Sequence, residues 1–250
     1  MSDISSTTII KKIGKSNFAT AVDFYLQPIF DVSTFKCVGA EALMRGLHRH
    51  SVISPGEFLH HLEGSDDMTP LGNYILHQAL RFLQEQILPR KPDFFMTINL
   101  CTQQVNDARF RDILTDLFLT TGVPVSQVIF EITGPVEAIT PVGQANLCQL
   151  REEGYAFAWD DVATLADVAQ KMAVSACDYV KLDRSCLKQG NSEPTHEVIC
   201  AIQQHDAVII AEGVETMAQT SMLLKHNVVR AQGFLFSRPM RKTDFTRTYL

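Results

Sequence analysis

Short apolar runs in this chain end, one after another, in a polar residue. They are CVGAE at Glu41, FFMTIN at Asn99, VIFE at Glu131, AFAWDD at Asp160 and Asp161, YVKLD at Lys181 and Asp183, VIIAE at Glu212 and VVRAQ at Gln232. A short apolar run bounded by turn residues reads as a buried strand, and a carboxylate, amide or ammonium at its exit adds nothing to packing. Repetition of the pattern predicts strand ends converging on one site. Four or five carboxylates and an amide are hard oxygen donors, suited to Mg²⁺ or Mn²⁺ and not to zinc. The adjacent pair Asp160 and Asp161 can face two such ions, an arrangement that supports in-line displacement at phosphorus. Lys181 adds a positive charge that can hold a water or the developing negative charge. Any single acid of the row could instead cap a helix, and Asp183-Arg184-Ser185 and Glu215-Thr216 are read that way.

The elements that must carry these residues follow from periodicity. Phe24–Asp31 reads as a strand, and the short turn Ser33–Lys36 into CVGAEALMR makes the next strand antiparallel, since a parallel return needs a crossover. Leu71–Leu88 has apolar residues at Ile75, Leu76, Ala79, Leu80, Leu83 and Ile87, the spacing of a one-faced helix. Strands are then predicted at 94–100, 128–132, 156–159, 179–182, 208–211 and 228–232. They alternate with helices near 110–119, 142–153, 165–172, 195–204 and 216–225. From Asn99 through Glu131, Asp160, Lys181 and Glu212 to Gln232 the steps are 32, 29, 21, 31 and 20 residues, the size of β-α-β units. Such alternation over 250 residues points to a TIM-like (β/α)8 barrel with an antiparallel first strand. An open doubly wound sheet is the alternative, disfavoured because no Gly-rich phosphate loop follows an early strand.

Residues 1–20 read as a loose or partly helical lead-in and 21–250 as one domain, with no linker or low-complexity segment between. A formal charge of −6 argues against a general nucleic-acid binder. No stretch reaches the length of a membrane span, and the first 16 residues lack the apolar core of a secretory signal. The six cysteines show no C-x-x-C spacing. A reduced, cytoplasmic protein is the expectation. His48, His50, His60 and His61 fall in polar text and are read as exposed.

At its chemistry-bearing residues the chain resembles the EAL family of cyclic di-GMP phosphodiesterases. The signature triplet stands as Glu41-Ala42-Leu43. LQPI at 26–29, INL at 98–100, FEIT at 130–133, Asp160-Asp161, VKLDRS from Val180, AEGVET from Ala211 and AQGFLFSRP from Ala231 occur in the family's order. The resemblance covers Phe24–Met240. It implies Glu41, Asn99, Glu131 and Asp160 as ligands of a first metal and Asp161 at a second. It implies Lys181 as the residue that positions or activates the attacking water, and Glu212 and Gln232 completing the site. Gln27 and Arg45 would contact the ligand phosphate, with Pro239 near a guanine. The activity implied is linearisation of cyclic di-GMP to pGpG.

Two departures bear on that activity. Where the family usually reads DDFGTGYSSL, this chain reads DDVATLADVA from Asp160, so Ala163 and Leu165 replace glycines. A non-glycine residue in a left-handed conformation costs roughly 1–2 kcal/mol, so the segment is expected to leave the family's conformation and Ala163–Val168 to extend a helix. Gly134 stands where the family has a glutamate that braces this loop. Together these changes weigh against the second metal and against dimerisation through that face. The expected function is a weakly active or inactive EAL-like regulator of cyclic di-GMP signalling that binds another protein, for example a transcription or motility factor. The alternatives are an active metal-dependent phosphodiesterase and a cyclic di-GMP receptor without turnover.

Overall fold

The computed structural model describes residues 2–49, 51–188 and 192–250. Among the described residues the strands are β1 (Val22–Asp31), β2 (Lys36–His48), β3 (Ser51–Ile53), β4 (Phe95–Cys101), β5 (Val128–Thr133), β6 (Ala156–Val162), β7 (Tyr179–Leu182), β8 (Val208–Ala211) and β9 (Arg230–Ala231). The helices are α1 (Ser2–Ile13), α2 (Phe18–Ala21), α3 (Met68–Phe82), α4 (Thr102–Val105), α5 (Phe110–Thr121), α6 (Pro141–Glu152), α7 (Leu165–Val174), α8 (Ser192–Gln203), α9 (Met217–Lys225) and α10 (Lys242–Tyr249).

Strand β2 and β4 through β9 run parallel in sequence order, and β1 closes the ring by pairing antiparallel with both β2 and β9. Eight strands therefore form the closed barrel, while β3 lies outside it as a hairpin on β2. The antiparallel start follows from the tight turn after Asp31, whose side chain accepts from the backbone N–H groups of Ser33 and Thr34. The hairpin to β3 went unforeseen, and it places His48 half-buried in a strand instead of exposed. His60 and His61 are exposed as expected, and His50 lies outside the described residues.

Period-2 alternation explains how the barrel interior is divided. Ile29, Phe95, Ile129, Ala158 and Ile210 form an apolar cluster with Tyr179 packed against it. Two residues along the same strands stand Gln27, Glu131, Asp160, Glu212 and Lys181. One barrel face thus carries an apolar floor and, one pleat further, a polar layer. Arg230 lies over the rings of Phe95 and Tyr179 at 4.9 and 5.3 Å, two residues before Gln232. The larger core lies between barrel and helices, and includes Phe24, Leu76, Phe130, Phe157 and Trp159.

The lead-in is helical and packed. Ile9 and Ile13 are fully buried with Phe58, Leu62 and Leu71. Helix α3 ends in a π-helical turn over Leu83–Ile87, which widens the last turn of the expected helix. Among the described residues no helix is long and apolar enough to cross a membrane.

Candidate functional site

Neighbouring strands put the polar layer at one level. Gln27 pairs with Glu41 across β1 and β2, and Asn99 with Glu131 across β4 and β5. Strand β6 continues through Val162, but its pairing with β7 slips between Trp159 and Val162. Asp160 and Asp161 occupy that slip, and Asp161 has φ +49°. A bulge re-aims the side chains it contains, and aspartate tolerates the left-handed region better than most residues. That is how two consecutive residues of one strand can both serve one site.

Lys181 is fully buried at the centre of the layer. Its Nζ lies 2.6 Å from Glu212 Oε1, 2.8 Å from Glu131 Oε1 and 3.3 Å from Glu41 Oε2. Gln232 Nε2 donates to Glu41 Oε2 at 2.6 Å and to Glu212 Oε1 at 3.1 Å, and Asn99 Nδ2 donates to Glu41 Oε1 at 3.1 Å. Donor oxygens of Asp160, Asp161 and Glu212 all lie within 4.8 Å of one another.

One ammonium cannot neutralise this many acids. Burial raises the pKa of Glu41, but the Lys181 charge and the hydrogen bonds from Gln232 and Asn99 outweigh it, so Glu41 sits below its usual range. Burial and then the Glu41 charge push Glu131 well up. Burial also moves Asp160 to about 6 and Glu212 to about 7, against the opposing pull of Lys181. Burial alone would lower Lys181, yet Glu131, Glu41 and Glu212 raise it well above its usual value. Lys181 is therefore an ammonium, a donor towards water, while Glu131, Asp160 and Glu212 are all held above the usual carboxylate range.

The donor set fits a hard divalent cation. Glu131 Oε2 and Gln232 Oε1 are buried without a hydrogen-bond partner, an arrangement that is costly unless an ion or water completes it. The set whose donor oxygens lie close enough to share one ion is Asp160, Asp161 and Glu212.

Two hollows of about 360 and 370 Å³ flank the layer. One is lined by Glu41, Leu43, Met44, Leu59, Asn99 and Asp160, among others. The second is lined by Gln27, Asp161, Arg184, Glu212, Gln232 and Phe234 with their neighbours. Gln27 is held by Nε2 donating to Ser237 O at 3.3 Å. Two predicted residues stand apart, since neither Arg45 nor Pro239 lines these hollows. Arg45 donates to Met44 O at 2.7 Å and lies 5.5 Å over the Tyr25 ring. Pro239 adjoins Met240, which bridges to Leu26, one residue from Gln27. Asp183 does cap, accepting from Ser185 N at 2.8 Å, and it also lines the second hollow.

The segment after the paired aspartates differs from the expectation. Helix α7 begins at Leu165, not Ala163. Thr164 is its N-cap and Asp167 completes a capping box, accepting from the backbone of both Ala163 and Thr164. Neither Ala163 nor Leu165 has a positive φ, so neither carries left-handed strain. Lys171, missed in the sequence, donates from α7 to the backbone carbonyls of Asp160 and Asp161. Its only sequence signal is a lysine two turns into the helix after the paired acids. Gly134 has φ +100°, so the position that lacks the brace also has a backbone that side-chain-bearing residues rarely adopt. Gly233 serves close approach, as a Cβ there would meet Val214 O at 2.1 Å.

Fold and site together define a (β/α)8 barrel with an acidic, metal-type centre at the strand ends. The chain matches the EAL domain family over residues 18–239, and it belongs to that family. It is 30% identical over 223 residues to the probable cyclic di-GMP phosphodiesterase PdeI of Escherichia coli K12, covering 86% of this chain and 28% of the relative. It is 29% identical over 222 residues to the cyclic di-GMP phosphodiesterase PA2567 of Pseudomonas aeruginosa, covering 86% of this chain and 38% of that one. The EAL enzyme Bd1971, solved with cAMP and cyclic di-GMP bound, superposes with a TM-score of 0.84 at 26% identity, over 100% of this chain and 70% of that chain. The chain spans between 28% and 43% of the length of the first curated relatives it matches.

Proposed function

We propose that this chain binds cyclic di-GMP across the barrel mouth and, with Mg²⁺ or Mn²⁺, hydrolyses one phosphodiester bond to give pGpG. The observation that carries this reading is the Asp160, Asp161 and Glu212 trio, whose donor oxygens lie within 4.8 Å despite the altered loop. Glu41, Asn99, Glu131 and Asp160 would hold the first cation, and Asp161 with Glu212 the second. The bound cations supply Lewis-acid polarisation of the phosphoryl group. Lys181, fixed by three carboxylates, donates to the attacking water and orients it. Glu212 accepts from both Lys181 and Gln232 and so helps to hold that ammonium in place. Gln27 and the hollow beside Phe234 receive the nucleotide on one side, and Leu43 and Met44 on the other. Residues 21–250 act as one EAL unit with Ile9 and Ile13 of the lead-in packed against it, in a cytoplasmic setting that suits six free cysteines.

A second reading keeps the ligand site and loses turnover, leaving a regulator that binds another protein. It is favoured by Gly134, which carries no side chain to brace the loop, and by Leu165, half-exposed at the start of α7. The deciding experiment is conversion of cyclic di-GMP to pGpG by purified protein with Mn²⁺. Turnover of about 1 s⁻¹ or more, within the ordinary enzyme range and abolished by Glu41→Ala, supports the phosphodiesterase. No pGpG at saturating substrate and metal overturns it in favour of the second reading.

A further inference from the structure

Outside the barrel mouth, one group of side chains has transition-metal chemistry and no part in the site above. His196 and Cys200 stand four residues apart on α8, a spacing that puts both on one helix face. His226 is the C-cap of α9. His196 Nδ1 lies 3.2 Å from His226 Nδ1 and 3.5 Å from Cys200 Sγ. Zinc–nitrogen and zinc–sulfur bond lengths place tetrahedral donors about 3.4 Å apart for two nitrogens and about 3.5 Å apart for nitrogen and sulfur. Two edges of the triangle already have those lengths.

We infer that His196, Cys200 and His226 form a surface site for a borderline or soft divalent ion such as Zn²⁺ or Co²⁺. The ligand types select against Mg²⁺ and Mn²⁺, which the oxygen donors of the barrel prefer. Binding exchanges the Cys200 thiol proton, released to solvent, for a sulfur–metal bond, and a fourth position stays open to water or an outside ligand. The negative end of α9 at His226 favours a cation there. Gln203 Nε2 donates to His226 O at 2.8 Å and ties the two helices at this point. The third edge, Cys200 to His226, is the one that must close. Among the described residues only the acidic trio has all its donor atoms within 4.8 Å. Closing it requires a rotamer change at half-buried Cys200 or His226.

The test is a Co²⁺ titration of the reduced full chain, with excess Mg²⁺ present to occupy the barrel carboxylates. A near-ultraviolet thiolate-to-cobalt charge-transfer band is expected, saturating at one equivalent. Oxygen ligands alone cannot produce that band. It should vanish in Cys200→Ser, persist in Cys148→Ser, which removes the exposed thiol of α6, and need at least tenfold more Co²⁺ in His226→Ala. No band in the parent protein, or a band that survives Cys200→Ser, overturns the site. Should Cys200→Ser fail to fold, alkylation of the parent protein decides. Zn²⁺ must slow modification of Cys200 severalfold and leave Cys148 unchanged, and equal rates reject the inference.

Discussion

Lys171 Nζ donates to the main-chain carbonyl of Asp161 at 3.0 Å and also to that of Asp160. The two carbonyls belong to the slipped segment of β6, where Asp161 takes its left-handed turn. One ammonium from the following helix therefore holds the backbone of both aspartates of the Asp160, Asp161 and Glu212 trio. Lys171→Ala removes this tie without touching a donor oxygen. Mn²⁺ affinity, read by calorimetry, is expected to weaken by about three- to tenfold, or roughly 1 kcal/mol, the net worth of an ordinary hydrogen bond. Lys171→Arg should restore most of it. Unchanged affinity in the alanine variant would show that the bulge holds its shape unaided.

Lys181 is the next test, because its removal leaves Glu41, Glu131 and Glu212 facing one another in the barrel. Breaking a buried ion pair by deleting one partner costs about 3–5 kcal/mol. For a chain of this size that corresponds to a Tm lower by on the order of 10 °C. Lys181→Met should show this loss in thermal melts of metal-free protein and recover part of it with Mn²⁺. A shift under about 2 °C would mean that the acids already share enough protons to need no ammonium.

The acids also fix a pH dependence. Asp160 is raised to about 6 and Glu212 to about 7, both above their ordinary values. Groups raised by folding bind protons more tightly in the folded chain, so their stabilising effect is complete below the ordinary carboxylate pKa. It is lost as pH climbs through about 6 and about 7. Glu41, lowered, works in the other direction and is felt only at acid pH. Metal-free protein should therefore melt several degrees lower at about pH 8 than at about pH 5, with Mn²⁺ binding tightening over the same interval as protons leave. Glu212→Gln should flatten both curves. A Tm that rises from pH 5 to pH 8 without metal contradicts the assignment.

The legible and illegible parts of the site divide by physical cause. Period-2 alternation and β-α-β spacing are local signals, so the barrel, its antiparallel first strand and the convergence of Glu41, Asn99, Glu131, Lys181, Glu212 and Gln232 could be read directly. Family resemblance added Gln27, which lines a hollow, and Arg45, which folds over Tyr25 instead. The slip at Asp160 and Asp161 could not be read, because it depends on pairing with a strand twenty residues away in sequence. The hairpin to β3 was hidden because the sequence between the two strands lacks the Asn-Gly or Gly-Gly signature. At 163–168 the difference from expectation is the helix start, Leu165 instead of Ala163. The capping box of Thr164 and Asp167, visible in the sequence as T-x-x-D, was the better guide.

That capping box sets the outcome of restoring the family's glycines. Leu165 is the first residue of α7, and neither it nor Ala163 needs a left-handed backbone. Ala163→Gly with Leu165→Gly therefore relieves no strain, and it adds unfolded-chain entropy at a helix start, costing roughly 1–2 kcal/mol for the pair. Turnover of cyclic di-GMP should change by less than about threefold, while Tm falls by about 2–8 °C. Gly134 behaves differently, because its φ of +100° is one that Ala or Glu adopts only under strain. Gly134→Glu should lower Tm on its own and disturb the exit of β5 instead of bracing the loop. A tenfold gain in turnover from the two glycines, with or without Gly134→Glu, would show that the capped conformation is what holds activity down.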